Sequence, residues 1–307
     1  MRIATIDADT GRAVIEERPA PRNAATVLAA SINPIDLIVA TGNFPLRSFS
    51  PGDALGYGGV AERADGTRAY FYDPHPPAGS LSEQVDLDAA RTIDLPAGLD
   101  PQLGAVLGVP GIAAYSATFS EGKVTAGETV LVTGAAGSVG MIAGQAALAR
   151  GARAVGLVVD ERQRQAVEAV GMVPLLLDAQ EEDVPGAMGR VAPDGVDVVV
   201  DSLWGDHPDR FVPALNHRAR WVQVGSSAGN AASITAPLFR NKRISFIGHT
   251  NFLLTAQEAA EAYRGIAELT AQGKITLSFE SITLDEVPDI FSGLADKSRK
   301  GKFVVAF

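Results

Sequence analysis

Cysteine is absent from all 307 residues of the chain. Disulfides, iron–sulfur clusters, thiolate-bound zinc and thiol nucleophiles are thereby excluded before any motif is read. Cationic residues are scarce: 26 Lys and Arg stand against 36 Asp and Glu, a formal net charge of −10. Nucleic-acid binding is driven by clustered cations that release counterions, so a broad phosphate-backbone partner is not expected. Long apolar runs are missing too. None approaches the ~18 residues of a membrane span, and the run Val196–Val200 is interrupted by Asp197 and followed by Asp201. Met1 to Asp7 lacks the apolar stretch of a signal peptide. These absences predict a cytoplasmic protein with neither membrane nor nucleic-acid partner. What remains is ordinary for a globular chain, 46% hydrophobic and 20% charged, and long enough for about two domains.

Two textures divide the sequence. Up to about residue 110, Pro, Gly and short alternating segments predict a β-rich unit with many turns. Val27–Ile32 reads as a strand entering a turn at Asn33-Pro34, and Leu81–Val85 resumes strand-like alternation. Between them, Asp73-Pro74-His75-Pro76-Pro77-Ala78-Gly79 reads as a surface loop. From about residue 128, β-branched runs alternate with helical stretches: Thr129–Thr133, Ala154–Val159, Val196–Val200 and Arg220–Val224 read as strands. That alternation predicts a parallel sheet covered by helices on both faces. Thr255 and Glu258 have capping-box spacing and open a helix to about Ala271, with Gly273 at its exit, and Gly301–Ala306 reads as a final strand.

The strongest local signal is Thr133-Gly134-Ala135-Ala136-Gly137-Ser138-Val139-Gly140, placed between a strand and a helix. Glycines there permit a tight turn, close backbone approach to a pyrophosphate and close helix–sheet packing. The amides that open the following helix favour negative charge. No Gly-Lys-Ser/Thr is present, so a dinucleotide is expected rather than a nucleoside triphosphate. Gly134, Ala135, Gly137, Ser138 and Val139 are the loop candidates. Asp160 lies where an acid can bond an adenosine ribose and select NADH, while Arg162 and Arg164 just beyond can clamp a 2′-phosphate and select NADPH. An N-capping Asp160 on a solvated helix start reads equally well.

These residues, taken with their order, resemble the medium-chain dehydrogenase/reductase superfamily, and within it the zinc-independent quinone oxidoreductase and enoyl reductase group. Ser31-Ile32-Asn33-Pro34-Ile35-Asp36 followed by Gly42-Asn43-Phe44-Pro45 is similar to the group's N-terminal signature. Gly108-Val109-Pro110-Gly111-Ile112-Ala113-Ala114-Tyr115, the glycine loop, Asp201-Ser202-Leu203, Val224-Gly225-Ser226-Ser227 and Gly301-Lys302 follow in family order. The resemblance implies an α/β fold class: a GroES-like β domain over 1–112 and 250–307, and a Rossmann doubly wound parallel-sheet domain over 113–249. It also implies a homodimer paired through an edge strand near Arg243–Ile247. Where zinc relatives carry metal ligands, this chain reads Ala54-Leu55-Gly56-Tyr57-Gly58-Gly59. The four histidines, His75, His207, His217 and His249, form no ligand pattern.

In this group hydride passes from a nicotinamide to an electron-poor carbon conjugated to a carbonyl. The enzyme must orient the pair in a dry cleft, stabilise the developing enolate and admit a proton. Asn33 is the candidate polar contact by analogy, with turn chemistry as its plain alternative. Tyr57 is the candidate donor to the acceptor carbonyl, with packing as its alternative. Asp36 reads as a brace, Asp201 as structural, and Trp204 and Trp221 as packing residues. Gly225, Ser226 and Ser227 end a strand at the sheet's carboxyl edge, where nicotinamide contacts are expected. The chain departs from the family in three places: Phe44 replaces a tyrosine, Ala113 replaces a threonine, and the stretch between Gly59 and Tyr70 is short. A short-chain dehydrogenase fails as an alternative, because no tyrosine has a lysine four residues on.

The expectation is a metal-free oxidoreductase that uses NADPH, with NADH as second choice, on a small quinone or activated alkene. A non-catalytic nucleotide-binding sensor or scaffold is the alternative. Gly137→Val should abolish NADPH binding while the N-terminal unit stays folded, measured by nucleotide fluorescence titration beside circular dichroism. Undiminished affinity would sink the loop assignment.

Overall fold

A computed structural model of the chain describes residues 1–42, 44, 46–47, 49–177 and 183–307. Asn43 and Pro45 of the N-terminal signature lie outside the described residues. The chain forms two units. The first comprises Met1–Val109, Leu254–Ala267 and Ser278–Phe307, and the second comprises Pro110–Leu253 with Glu268–Leu277.

The first unit opens with an antiparallel pair, β1 (Arg2–Ile6) and β2 (Ala13–Glu17). β3 (Ala24–Ile32) alternates buried and exposed positions at its start and is fully buried from Ala29 onward. The expected turn after it is instead the start of a helix, α1 (Pro34–Ala40). The reason is local. Pro34 at the first helical position has its φ already set, and Asp36 Oδ2 accepts from the Asn33 amide at 2.6 Å, closing a capping box around Asn33. β4 (Gly58–Glu62) and β5 (Arg68–Tyr72) follow as a hairpin. The strand expected at Leu81–Val85 begins only at Gln84, as β6 (Gln84–Asp86), because Ser82 Oγ bonds the Gly79 carbonyl and the Leu81 amide bonds that of Leu55. β7 (Thr92–Asp94) and α2 (Pro101–Leu107) complete this run.

The second unit follows from α3 (Val109–Tyr115), whose first residue belongs to the first unit. Its strands and helices alternate as the sequence predicts. They are β8 (Thr129–Val132), α4 (Ser138–Ala149), β9 (Arg153–Val158), α5 (Glu161–Glu168), β10 (Val173–Leu176) and α6 (Val184–Val191). Then come β11 (Val196–Asp201), α7 (His207–Phe211), β12 (Leu215–Gln223), α8 (Ala236–Lys242) and β13 (Ser245–Gly248). The strands run parallel in the order β10-β9-β8-β11-β12-β13. β8 is buried at every position and β11 at all but Asp197, as a sheet covered on both faces requires.

The chain returns through α9 (Ala256–Ala271), opened by the expected capping box. Thr255 N donates to Glu258 Oε2 at 2.8 Å and Glu258 N to Thr255 Oγ1 at 3.2 Å. β14 (Glu280–Ile282) and β15 (Phe303–Ala306), with α10 (Val287–Ala295) between them in sequence, then follow, and the two strands join the first unit's sheet, whose order is β14-β15-β3-β4-β5-β7 with β6 paired to β3. Its core gathers Val27, Phe71, Leu81, Val287, Ile290 and Val305, so the two ends of the sequence share one hydrophobic interior.

In the second unit the strand order reverses between β8 and β11, which opens a crevice at their carboxyl ends. One buried carboxylate closes the base of that crevice. Asp201 Oδ1 accepts from Thr133 Oγ1 at 2.5 Å and from the amides of Leu203 and Trp204 at 3.0 and 3.1 Å. Its Oδ2 accepts from Trp221 Nε1 at 3.0 Å, and the residue has no exposed surface. Asp201→Ala orphans four donors in a dry site, and should destabilise this unit by about 3 kcal/mol. Both tryptophans, Trp204 and Trp221, lie in the second unit, so urea unfolding followed by their fluorescence reads it alone. A loss below about 1 kcal/mol would refute this role.

Candidate functional site

The glycine loop crosses from β8 to α4 at the switch point. Gly134 adopts φ +59°, a left-handed conformation that favours glycine. A Cβ on Gly140 would lie 2.5 Å from the Gly134 carbonyl oxygen and 2.7 Å from the Ala135 Cα, both immovable backbone. Gly156 on β9 makes room for Ala135 in turn, since a Cβ there would meet the Ala135 Cβ at 2.9 Å. α4 starts at Ser138 with Gly137 as N-cap and no side chain capping it, so its first amides are left for an anion. Ser202 Oγ is buried without a hydrogen-bond partner among the described residues, and a Gly134 Cβ would sit 3.6 Å from its Cβ. An orphaned hydroxyl beside an uncapped helix start and a cradle closed to side chains fits the pyrophosphate of a dinucleotide. Ser202 was visible only as part of a motif, because nothing in sequence shows that its hydroxyl lacks a partner.

The residues beyond β9 separate on inspection. Asp160 caps α5, its Oδ1 accepting from the Gln163 amide at 2.8 Å. Arg164 is held by Glu161 at 2.7 Å and by Glu168 at 2.6 Å. Its guanidinium, through these partners, holds the exposed Glu161 carboxyl down at about 2. Arg162 is exposed and makes no side-chain bond among the described residues. At the end of β12, the amides of Val224 and Gly225 both donate to the Asp201 carbonyl, at 2.7 and 3.2 Å. Ser226 Oγ donates to Asn230 Oδ1 and Ser227 Oγ to the Ser202 carbonyl, both at 3.0 Å. Gly134, Ala135, Gly137, Ser138, Val139 and Gly225 thus converge on one crevice with Ser226 at its rim.

Asn33 and Tyr57 belong to the first unit. Asn33 is 3% exposed and its amide is saturated. Nδ2 donates to the Ser31 carbonyl at 3.0 Å, while Oδ1 accepts from Lys302 Nζ, which also donates to the Ile32 carbonyl at 3.0 Å. Burial raises the Asp36 carboxyl to about 6 and lowers the Lys302 ammonium to about 7. The Asn33 side chain is therefore built into a brace between β3 and β15, where it caps α1 instead of starting the turn expected there. Lys302 appeared in the sequence only as half of a Gly-Lys motif, since its partner lies 269 residues away.

Tyr57 is 4% exposed, between Gly56 at φ +98° and Gly58. The Arg47 guanidinium carbon stands 5.9 Å from its ring centroid. Arg47 Nη2 donates to the Pro74 carbonyl at 3.0 Å, and Arg47 Nη1 lies 3.6 Å from Asp73 Oδ1. Burial, then the Asp73 charge, push the Tyr57 phenol well above its ordinary value, so it is a proton-bearing donor at neutral pH and not a base. Arg47 carried no signal in sequence. The histidines stay apart: His249, for example, places its ring nitrogens 2.9 Å from Glu121 Oε1 and Asn251 Oδ1. Among the described residues no three His, Asp or Glu side chains converge as metal ligands do.

A parallel sheet of this order with a glycine cradle at its switch point defines a dinucleotide-binding protein of the Rossmann class, here carrying a separate β unit. The zinc-binding dehydrogenase family model matches residues 138–268. The chain is 30% identical over 241 residues to the Bacillus subtilis protein named "Putative NADP-dependent oxidoreductase YfmJ", covering 74% of this chain and 71% of that one. It is also 30% identical over 231 residues to an Escherichia coli NADPH-dependent curcumin reductase, covering 71% and 66%. The fold matches a mycobacterial quinone oxidoreductase over 100% of both chains, with a TM-score of 0.88 at 19% identity. The chain belongs to the medium-chain dehydrogenase/reductase superfamily, among the quinone oxidoreductases and their NADP-dependent relatives.

The Lys302–Asp36 pair has a pH signature. The raised Asp36 contributes stability at acid pH that is lost as pH rises through about 6. The lowered Lys302 contributes stability at alkaline pH that is lost as pH falls through about 7. Lys302→Met should abolish the rise in thermal midpoint between pH 7 and pH 10 that this lysine gives the native protein. Parallel wild-type and variant profiles over that range, followed by the near-ultraviolet signal of the buried tyrosines, would contradict the assignment.

Proposed function

We propose that this protein is a metal-free NADPH-dependent reductase of quinones or of alkenes conjugated to a carbonyl. The glycine cradle at the β8–β11 switch point carries the reading, and the names of the relatives agree with it. The second unit is assigned nucleotide binding and the first unit the acceptor. The cofactor, when bound, supplies the hydride, which reaches the electron-poor carbon with its electron pair. The chain's own part is to hold and exclude. The α4 amides and Ser202 would hold the pyrophosphate, and Gly225 and Ser226 would hold the nicotinamide end. Tyr57 donates to the acceptor carbonyl as negative charge develops on its oxygen. A proton taken up at the adjacent carbon completes alkene reduction; in a quinone one proton is taken up at oxygen, and enolisation of the hydride-bearing carbon passes its proton to the other oxygen to give the hydroquinone. Asn33 positions the segment that carries α1.

Arg162 is assigned the 2′-phosphate, because Arg164 is already held by two carboxylates and Asp160 by its capping bond. NADPH is therefore preferred over NADH. The test follows NADPH and NADH oxidation against a panel of quinones and α,β-unsaturated ketones. Arg162→Ala should weaken NADPH binding roughly tenfold with NADH unchanged, and Tyr57→Phe should lower kcat roughly 10²-fold with nucleotide affinity intact. Binding of both nucleotides without turnover of any acceptor would instead make the protein a nucleotide sensor.

We further propose a homodimer and a cytoplasmic location. β13 is the outer strand of its sheet, and its backbone can continue the ladder with a second copy. No single helix among the described residues is long and apolar enough to cross a membrane. Light scattering should give twice the chain mass of 31.9 kDa. A single-chain mass would overturn the pairing.

A further inference from the structure

A cavity of about 530 Å³ lies wholly in the first unit, and none of Asn33, Tyr57 or the glycine loop lines it. Its volume falls in the range of small-molecule sites, roughly 300–1,000 Å³. Its lining is mostly apolar and includes Phe71, Tyr72, Val85, Leu87, Pro21 and Pro77. That lining is fixed. Ala54 N donates to the Pro77 carbonyl at 2.9 Å, Arg47 Nη2 to the Pro74 carbonyl at 3.0 Å, and Arg91 Nη1 to the Asp73 carbonyl at 2.7 Å.

The charges facing the cavity decide the occupant. Its two arginines are already taken, Arg18 by Glu16 at 3.0 Å and Arg91 by Asp73. Asp86 and Asp88 face the same space, and the Asp86 carboxylate accepts no side-chain bond among the described residues. His75 Nε2 stands 3.7 Å from Asp88 Oδ2. The remaining lining cation, the Met1 ammonium, donates to the Arg18 carbonyl at 2.7 Å, so an anion would meet Asp86 and Asp88 with both arginines already paired. An uncharged ring with a hydroxyl edge fits the apolar lining and donates to Asp86.

We propose that this cavity is a binding site for an uncharged, planar hydroxyaromatic molecule, with its rings against Phe71 and Tyr72 and its hydroxyl on Asp86. The probe is 2-naphthol, titrated calorimetrically into the full-length protein without nucleotide. One molecule per chain should bind, and 2-naphthoate should bind at least tenfold more weakly. Ala78→Phe and Ala20→Trp, which each place an aromatic ring in the cavity, should each weaken 2-naphthol at least tenfold. Asp86→Asn should weaken it threefold or more. Gly137→Val should leave it unchanged, which separates this site from the proposed nucleotide function. Thermal melting of each variant checks the fold, and the two filling variants stand in for one another should either fail to fold. Wild-type 2-naphthol affinity in a folded filling variant, or 2-naphthoate binding as tightly as 2-naphthol, would overturn the proposal.

Discussion

The buried carboxylate of Asp201 is the interaction on which the nucleotide unit depends. Its four hydrogen bonds join the end of β8, the turn after β11 and the indole of Trp221 on β12. Its backbone carbonyl also receives the two amides that follow β12. A charge taken out of water is tolerable only when it is fully bonded, and here every bond runs to an element that frames the crevice. The glycine loop and the Gly225 turn are thereby held to one another through a single residue, by its side chain on one side and its carbonyl on the other. The cradle is rigid because its base is bonded; Gly140 is required because backbone would meet an added Cβ, and Gly134 because of its left-handed φ.

The other unit solves a different problem, the joining of the two ends of a long chain. β15 pairs antiparallel with β3, and Lys302 crosses between them to the Ile32 carbonyl and the Asn33 amide. Burial moves Lys302 and Asp36 toward neutrality from opposite sides, so their arrangement has a cost in charge that surrounding hydrogen bonds must offset. The same unit keeps Tyr57 protonated by burying it near Asp73, against the opposing charge of Arg47. Hydrogen bonding, not acid–base exchange, is what such a phenol offers a bound carbonyl.

Much of this was legible in the residues. The alternation of β-branched strands and helices from Thr129 onward, the glycine spacing and the Thr255–Glu258 box are local patterns set by periods of two and 3.6 and by capping chemistry. Such signals need no knowledge of distant contacts. The departures were equally local. Asn33-Pro34, expected as a turn, starts a helix because Asp36 reaches back to the Asn33 amide. The strand expected from Leu81 is delayed because Leu81 and Ser82 bond to residues outside a regular ladder.

By itself the sequence determined the class of fold, the place of the glycine loop and the family, because each rests on spacing along the chain. Only the tertiary structure decided which candidates have hydrogen-bonding capacity left. It occupied Arg164 with Glu161 and Glu168, saturated Asn33 through Lys302, left Ser202 Oγ without a partner among the described residues, and placed Arg47 over Tyr57. The physical reason is that a polar group's chemistry depends on what already satisfies it, and those partners lie tens to hundreds of residues away.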